Sequence, residues 1–140
     1  MKPNPNFYLK KINQTVKETE EIGTTMHPYY EEIRELIDNG KSDELTEEKQ
    51  LEAVEVFKEG TAKYRDLLKS LSDLRAPARV IGAHKKFEQS YQSYVDGCED
   101  MIESISNGID VKAFDEAEQK QDKASDSITL SLQKITNLLR

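Results

Sequence analysis

The chain predicts an all-α fold, an antiparallel up-and-down four-helix bundle, on three observations. Apolar residues recur in steps of three and four along four successive segments, the spacing of one helix face. Short links carrying glycine or proline separate those segments, so that consecutive helices have to lie side by side. Turn formers are few, with six Gly and four Pro in 140 residues, and charged residues (34%) nearly equal hydrophobic ones (36%), as in helices with one buried stripe and a charged exterior. The length suits a single domain over residues 1–140, large enough to bury a core without disulfides or metal.

The first helix is expected over about residues 6–39, with Leu9, Ile12, Val16, Thr19, Gly23, Met26, Tyr30, Ile33 and Ile37 on its inward face. Gly40 follows it, suited to the left-handed position that closes a helix. Pro28 cannot donate to the carbonyl of Thr24, so a kink or break is expected between Gly23 and Pro28. Thr46 is placed to cap the second helix, about 46–75, ahead of Glu47 and Glu48, which the helix dipole favours in the first turn. Its stripe is Val54, Phe57, Thr61, Tyr64, Leu68 and Leu71.

Pro77 is expected to open the third helix at its first position, over about 77–107, with Val80, His84, Phe87, Tyr91, Tyr94, Cys98, Met101 and Ile105 inward and Gly108 ending it. Asp110 caps the fourth helix, about 110–139, where Ile109 and Phe114 form a hydrophobic staple. Ala117, Gln121, Ala124, Ile128, Leu132, Ile135 and Leu138 continue that stripe. Gly23, Thr61 and Ala124 fall at the height of Tyr91 and Tyr94, whose rings are expected to fill the space they leave. Phe7, Tyr29, Val56, Leu67, Val95, Ile102 and Leu139 lie outside the stripes and either widen the core or form a dimer face.

The run "HKKFEQSYQSYVDGC", residues 84–98, gathers a histidine, three aromatic rings and the sole cysteine. Its spacing makes it an inward stripe rather than an active site. His84 and Cys98 are fourteen residues, or about 21 Å, apart along one helix, beyond hydrogen-bond reach. A dinuclear metal bundle uses Glu-x-x-His, but Thr24 and Ile81 stand three residues before His27 and His84, which are separated axially by about 18 Å. No phosphate loop, nucleophile elbow or zinc-type spacing occurs. No catalytic residue, metal or cofactor is therefore expected, and an enzyme is the least favoured class. Thr61 and Gln121 are polar positions that fix helix register. A pocket near Gly23 and the Pro28 kink carries the alternative of a small-molecule or lipid-binding bundle.

Charge supplies the main functional lead. Residues 1–14, 66–90 and 127–140, which meet at one end of such a bundle, hold ten basic and three acidic residues, whereas the remainder holds ten and twenty-four. The net charge of −7 thus conceals a basic end and an acidic body. Lys10, Lys11, Arg75, Arg79, Lys85 and Lys86 form a candidate anion- or partner-binding cap close to the start of helix three, where free backbone N–H groups favour an anion. An acidic protein partner, a phosphate-bearing ligand or an anionic membrane face would suit it. Duplex nucleic acid would be repelled by the acidic body. The lone Cys98 excludes an intrachain disulfide. Without an apolar h-region in "MKPNPNFYLKKINQ", or any run of about 18 apolar residues, a soluble cytoplasmic protein is expected unless an export signal was removed.

The segment "APARVIGAHKKFEQSYQSYVDGCEDM", with Ala-Pro followed by a helical histidine and spaced tyrosines, resembles segments of small uncharacterised helical proteins from low-GC Gram-positive bacteria of the Listeria and Bacillus kind. Some similar segments occur in lipoproteins, although a lipidated cysteine and signal are missing here. The resemblance implies a helical bundle and supplies no catalytic residues. Together these features lead to the expectation of a non-catalytic interaction or structural protein, acting with a protein partner or as a homodimer.

Overall fold

The computed structural model describes residues 3–140. Four helices form, α1 (Pro5–Asp38), α2 (Glu47–Asp73), α3 (Ile81–Ile105) and α4 (Val111–Leu138), with short 3-10 turns at Ser42–Glu44 and Ala78–Val80. Among the described residues there is no β-strand.

Local chemistry sets the helix ends. The Asn4 side chain accepts from the N–H groups of Asn6 (2.9 Å) and Phe7 (3.4 Å), and Pro5, with no N–H to satisfy, stands at the first helical position. Thr46 accepts from Lys49 N–H at 3.2 Å and Asp110 from Ala113 N–H at 3.1 Å, as the sequence predicts for both caps. At the end of α1, Gly40 takes a φ of 68°. Its N–H donates to Ile37 O (3.0 Å) while Lys41 N–H donates to Leu36 O (2.7 Å), the paired closure of a Schellman motif. A side chain at that φ would be strained, so glycine is required.

Of the kink or break expected between Gly23 and Pro28, the break does not occur: α1 is helical from Pro5 to Asp38, with Pro28 inside it. Thr24 and Pro28 are exposed, so water can satisfy the carbonyl that loses its donor, while Met26, Tyr30 and Ile33 pack inward on both sides of the proline. That burial offsets the cost of an interior proline, roughly 3 kcal/mol. The third helix starts later than expected. Pro77 has an extended ψ of 148° and precedes the 3-10 turn, and the α-helical run begins at Ile81. A proline disfavours α geometry in the residue before it, and α2 accordingly stops at Asp73, short of the "RAPAR" link.

The helices alternate in direction, placing the first turns of α1 and α3 beside the last turns of α2 and α4. The closest pairing is α3 with α4. It depends on Gly97, where a Cβ would come within 2.8 Å of Gln121 Cγ and 3.3 Å of the Gln121 backbone nitrogen. Two core clusters stack along the axis. One, at the end bearing both termini, includes Tyr8, Ile12, Tyr64, Leu71, Phe87 and Tyr91; the other includes Ile33, Phe57, Met101, Ile105 and Phe114. Met26 packs against both.

The residues left outside the sequence stripes mostly widen this core. Val95 is buried, and Tyr29, Val56, Leu67, Ile102 and Leu139 pack on one cluster or the other. Phe7, by contrast, is 55% exposed, and Leu138, placed in the α4 stripe by spacing, is 40% exposed. Tyr8 is completely buried, so the face of α1 is centred one residue away from Leu9. Among the described residues, no helix is long and apolar enough to cross a membrane.

The glycines of α3 provide a direct test of this packing. Gly97→Ala should lower stability by about 1–3 kcal/mol, because the added methyl forces α3 and α4 apart. Gly82→Ala, whose methyl meets nothing within 4 Å, should be neutral or gain up to about 1 kcal/mol from helix propensity. Urea unfolding of the two variants measures the difference.

Candidate ligand cavity and basic end

The run from His84 to Cys98 lies on the buried side of α3, as its spacing predicts, and its polar atoms are engaged structurally. His84 Nε2 is 2.9 Å from the carbonyl of Leu71 and Nδ1 is 2.7 Å from the Tyr8 hydroxyl. A carbonyl can only accept, so Nε2 carries the proton and donates, and Nδ1 accepts from Tyr8 O–H. One imidazole thereby joins α1, the end of α2 and α3 inside the core. Burial pushes the Cys98 thiol up to about 12, with the nearby Glu99 adding to the rise, so the sulfur is protonated at neutral pH and unsuited to nucleophilic attack. Tyr64 packs edge-on against Tyr91 and Tyr94 at centroid distances of 6.3 and 5.4 Å.

The gap at mid-bundle is not filled by Tyr91 and Tyr94 as the sequence suggests. Tyr91 instead hydrogen-bonds Thr19 at 2.7 Å, and it is the Tyr64 hydroxyl that occupies the space beside Gly23, 3.4 Å from where a Cβ would stand. A cavity of about 250 Å³ remains, lined from all four helices by Gly23, Met26, His27 and Tyr30, by Phe57 and Thr61, by Tyr94, Cys98 and Met101, and by Glu118, Gln121 and Asp122.

The two stripe-borne polar residues behave differently there. Gln121 donates from its amide to Gly97 O at 3.0 Å, tying α4 to α3 at their closest approach. Thr61, which is 1% exposed, has no partner for its hydroxyl oxygen. This is unusual for this molecule. The hydroxyls of Thr15, Thr19, Thr24, Ser90 and Thr136 each donate to the carbonyl four residues back. The buried Tyr64 oxygen is also without a hydrogen-bond partner: Tyr94 acts on it electrostatically, and the two do not meet in hydrogen-bonding geometry.

Carboxylates stand on the cavity's α4 side. Glu118 accepts from Arg34 Nη2 at 2.7 Å, while Arg34 Nη1 reaches Asp115 at 2.9 Å and the guanidinium lies 4.9 Å above the Phe114 ring. Desolvation, and next the charge of Asp122, hold the Glu118 carboxyl above its ordinary value. Asp122 itself forms no ion pair among the described residues. Burial holds the Tyr94 phenol at about 12, so it remains a neutral donor. Arg34, Glu118 and Asp122 did not stand out in sequence because they belong to a general excess of charge; helix height alone could have aligned them with Gly23.

At the opposite level of the bundle, the six cap residues fall at one end, as expected. Lys10 and Lys11 stand in the first two turns of α1, Arg75 and Arg79 flank the α2–α3 link, and Lys85 and Lys86 lie one turn into α3. All six are exposed and, among the described residues, none forms an ion pair. Lys2, counted with this end in the sequence, lies outside the described residues. The ion pairs of lysine and arginine among the described residues belong to the acidic body, on Arg34, Lys49, Arg65 and Lys120. His27 is exposed and pairs with Glu31 at 3.0 Å; among the described residues no three His, Cys, Asp or Glu side chains converge as metal ligands do.

Two measurements follow from the buried groups. Tyr8→Phe should destabilise by about 1–3 kcal/mol in urea, since it leaves His84 Nδ1 buried without a donor. As pH rises past the ordinary thiol value of 9.0, the unfolded chain ionises Cys98 while the folded chain resists until about 12. Stability contributed by the neutral thiol is therefore full below pH 9.0 and lost through that interval. The urea-midpoint gap between wild type and Cys98→Ala should narrow over the same range. No protein-family model, curated protein or solved structure matches the chain.

Proposed function

We propose that the protein is a non-catalytic helical bundle that docks, basic end first, on an anionic lipid surface. The observation that carries this reading is the cap itself: six exposed cations at one end, without a carboxylate partner among the described residues. Exposed apolar side chains accompany them. Phe7 (55% exposed), Ile81 (47%) and Leu138 (40%) belong to the same end, with the Lys11 ammonium 5.5 Å over the Phe7 ring. Cations mixed with exposed apolar groups match the polar-apolar boundary of a membrane. Four of the six cations are lysines, a residue depleted in protein–protein interfaces, which favours lipid over a protein partner.

The acidic body does not oppose such docking. Bundle helices of 25 to 34 residues extend about 40–50 Å, whereas charges are screened beyond about 8 Å at physiological salt. With the basic end down, most of the carboxylates stand outside the reach of the surface. Each cation near an anionic leaflet contributes about 1 kcal/mol, so the attachment is peripheral and reversible. In support of the non-catalytic part of the reading, His84 is committed to Tyr8 and Leu71, and Cys98 is held as a thiol.

Co-sedimentation with vesicles tests the proposal. The protein should bind phosphatidylserine-containing vesicles in low salt, release in high salt and ignore pure phosphatidylcholine. Replacing Arg79, Lys85 and Lys86 together with Ala should weaken binding at least about tenfold. Undiminished binding by that variant, or equal binding to neutral vesicles, would overturn the reading.

A further inference from the structure

The cavity between the four helices is independent of the basic end, and its chemistry is specific enough to name a ligand class. Its lining is mixed: Phe57, Met26 and Met101 supply aromatic and thioether surface, Tyr30 and Tyr94 stand beside them, and Gln121, Glu118 and Asp122 supply polar groups. Thr61 also lines it; the residue is 1% exposed, and its hydroxyl oxygen is buried without a partner among the described residues. Leaving such a group unpaired is costly, so this position is one where stability has not been maximised. The simple repair within the helix, a bond to the carbonyl four residues back, is made by other hydroxyls of this chain and not by this one.

Carboxylates dominate the charge around the cavity, with His27 in the lining paired to Glu31. Two carboxylates line it, Glu118 and Asp122, and no lysine or arginine does. Arg34 engages Glu118 from outside the lining, which leaves Asp122 as the uncompensated charge. An anion entering would meet two carboxylates, one of them already partly desolvated. A cation would meet the exposed Asp122 carboxylate at the rim, which attracts an ammonium, while the Tyr30 ring is itself stacked on His27 and Phe114. The volume, about 250 Å³, lies just under the usual lower bound of roughly 300 Å³ for small-molecule sites, so the guest is small.

From this geometry we infer that the cavity is a binding site for a small organic ammonium ion with a single ring or short apolar body, the body lying between Phe57, Met26 and Met101 and the ammonium directed to Asp122. Such a site would make the bundle a carrier or sensor of amines, a role separate from what its basic end does.

A shape-matched charge series tests this: benzylamine (cation), benzyl alcohol (neutral) and benzoate (anion), titrated into protein labelled with 13C at the methionine methyls. Met26 and Met101 line the cavity and report occupancy directly. Benzylamine should shift both resonances and bind at least about tenfold more tightly than benzoate, with benzyl alcohol between them. Asp122→Asn should reduce benzylamine to the level of benzyl alcohol and leave benzyl alcohol unchanged. Gly23→Leu, whose Cβ meets only the Tyr64 hydroxyl at 3.4 Å, should fill the space and abolish binding of all three. If that variant fails to fold, the wild-type methyl shifts alone decide. No shift with any compound would overturn the site, and benzyl alcohol or benzoate binding as tightly as benzylamine would overturn the ammonium assignment.

Discussion

The bundle depends on what α3 can bury. It presents apolar or small residues around most of its circumference, from Val80 and Phe87 to Val95, Gly97, Met101 and Ile105, and each neighbour packs on a different part of that surface. Gly97 marks a close approach of α3 and α4, where an added Cβ would come within 2.8 Å of Gln121 Cγ and 3.3 Å of the Gln121 backbone nitrogen. With α4 seated there and α2 on the other flank, α1 closes the square through polar contacts as well as apolar ones. Tyr8 reaches His84, Thr19 reaches Tyr91, and Arg34 clamps α4 through Asp115 and Glu118. The apolar contacts supply most of the stability and are tolerant of small shifts; the hydrogen bonds and the glycine contact determine which register is adopted.

Helix number, direction and caps were legible in the sequence because each rests on local chemistry. Asn, Thr and Asp at helix starts, Gly40 and Gly108 at ends, and a three-four spacing between them need no knowledge of the partner helices. Pro28 shows where local reasoning loses to tertiary packing: a broken hydrogen bond on the solvent side was outweighed by the inward residues on either side. Pro77 shows the reverse: its own ψ of 148° is extended, so it stands ahead of a 3-10 turn instead of at the first helical position, and α3 begins at Ile81. Tyr8 has no place in the sequence stripe of α1, because a phenol suits either environment; the buried imidazole opposite it accounts for its complete burial.

The cavity was only partly legible. Sequence pointed to missing volume near Gly23 but assigned Tyr91 and Tyr94 to fill it, because axial height does not say which way a ring turns. Tyr64 came in from α2, Tyr91 turned to Thr19, and the space moved toward Thr61 and α4. The basic end was the most legible functional feature, since antiparallel topology alone decides which stretches of chain share an end. Its side chains are exposed and free of carboxylates, which is how a long chain of mixed charge comes to have a distinct polarity.

The division of the core into two clusters has a consequence for how this molecule opens. Tyr8, Phe87 and Ile135 belong to one, Ile33, Phe57 and Phe114 to the other, and Met26 is among the few residues touching both. A bundle with one continuous core melts as a unit, whereas two cores with a cavity between them are two cooperative regions in series, coupled mainly through the helical backbones. Amide protection should therefore dip where α1 and α2 border the cavity, while the Gly97–Gln121 contact keeps α3 and α4 joined at that height. A guest held between the clusters would act on that coupling, making two weakly joined halves respond as one.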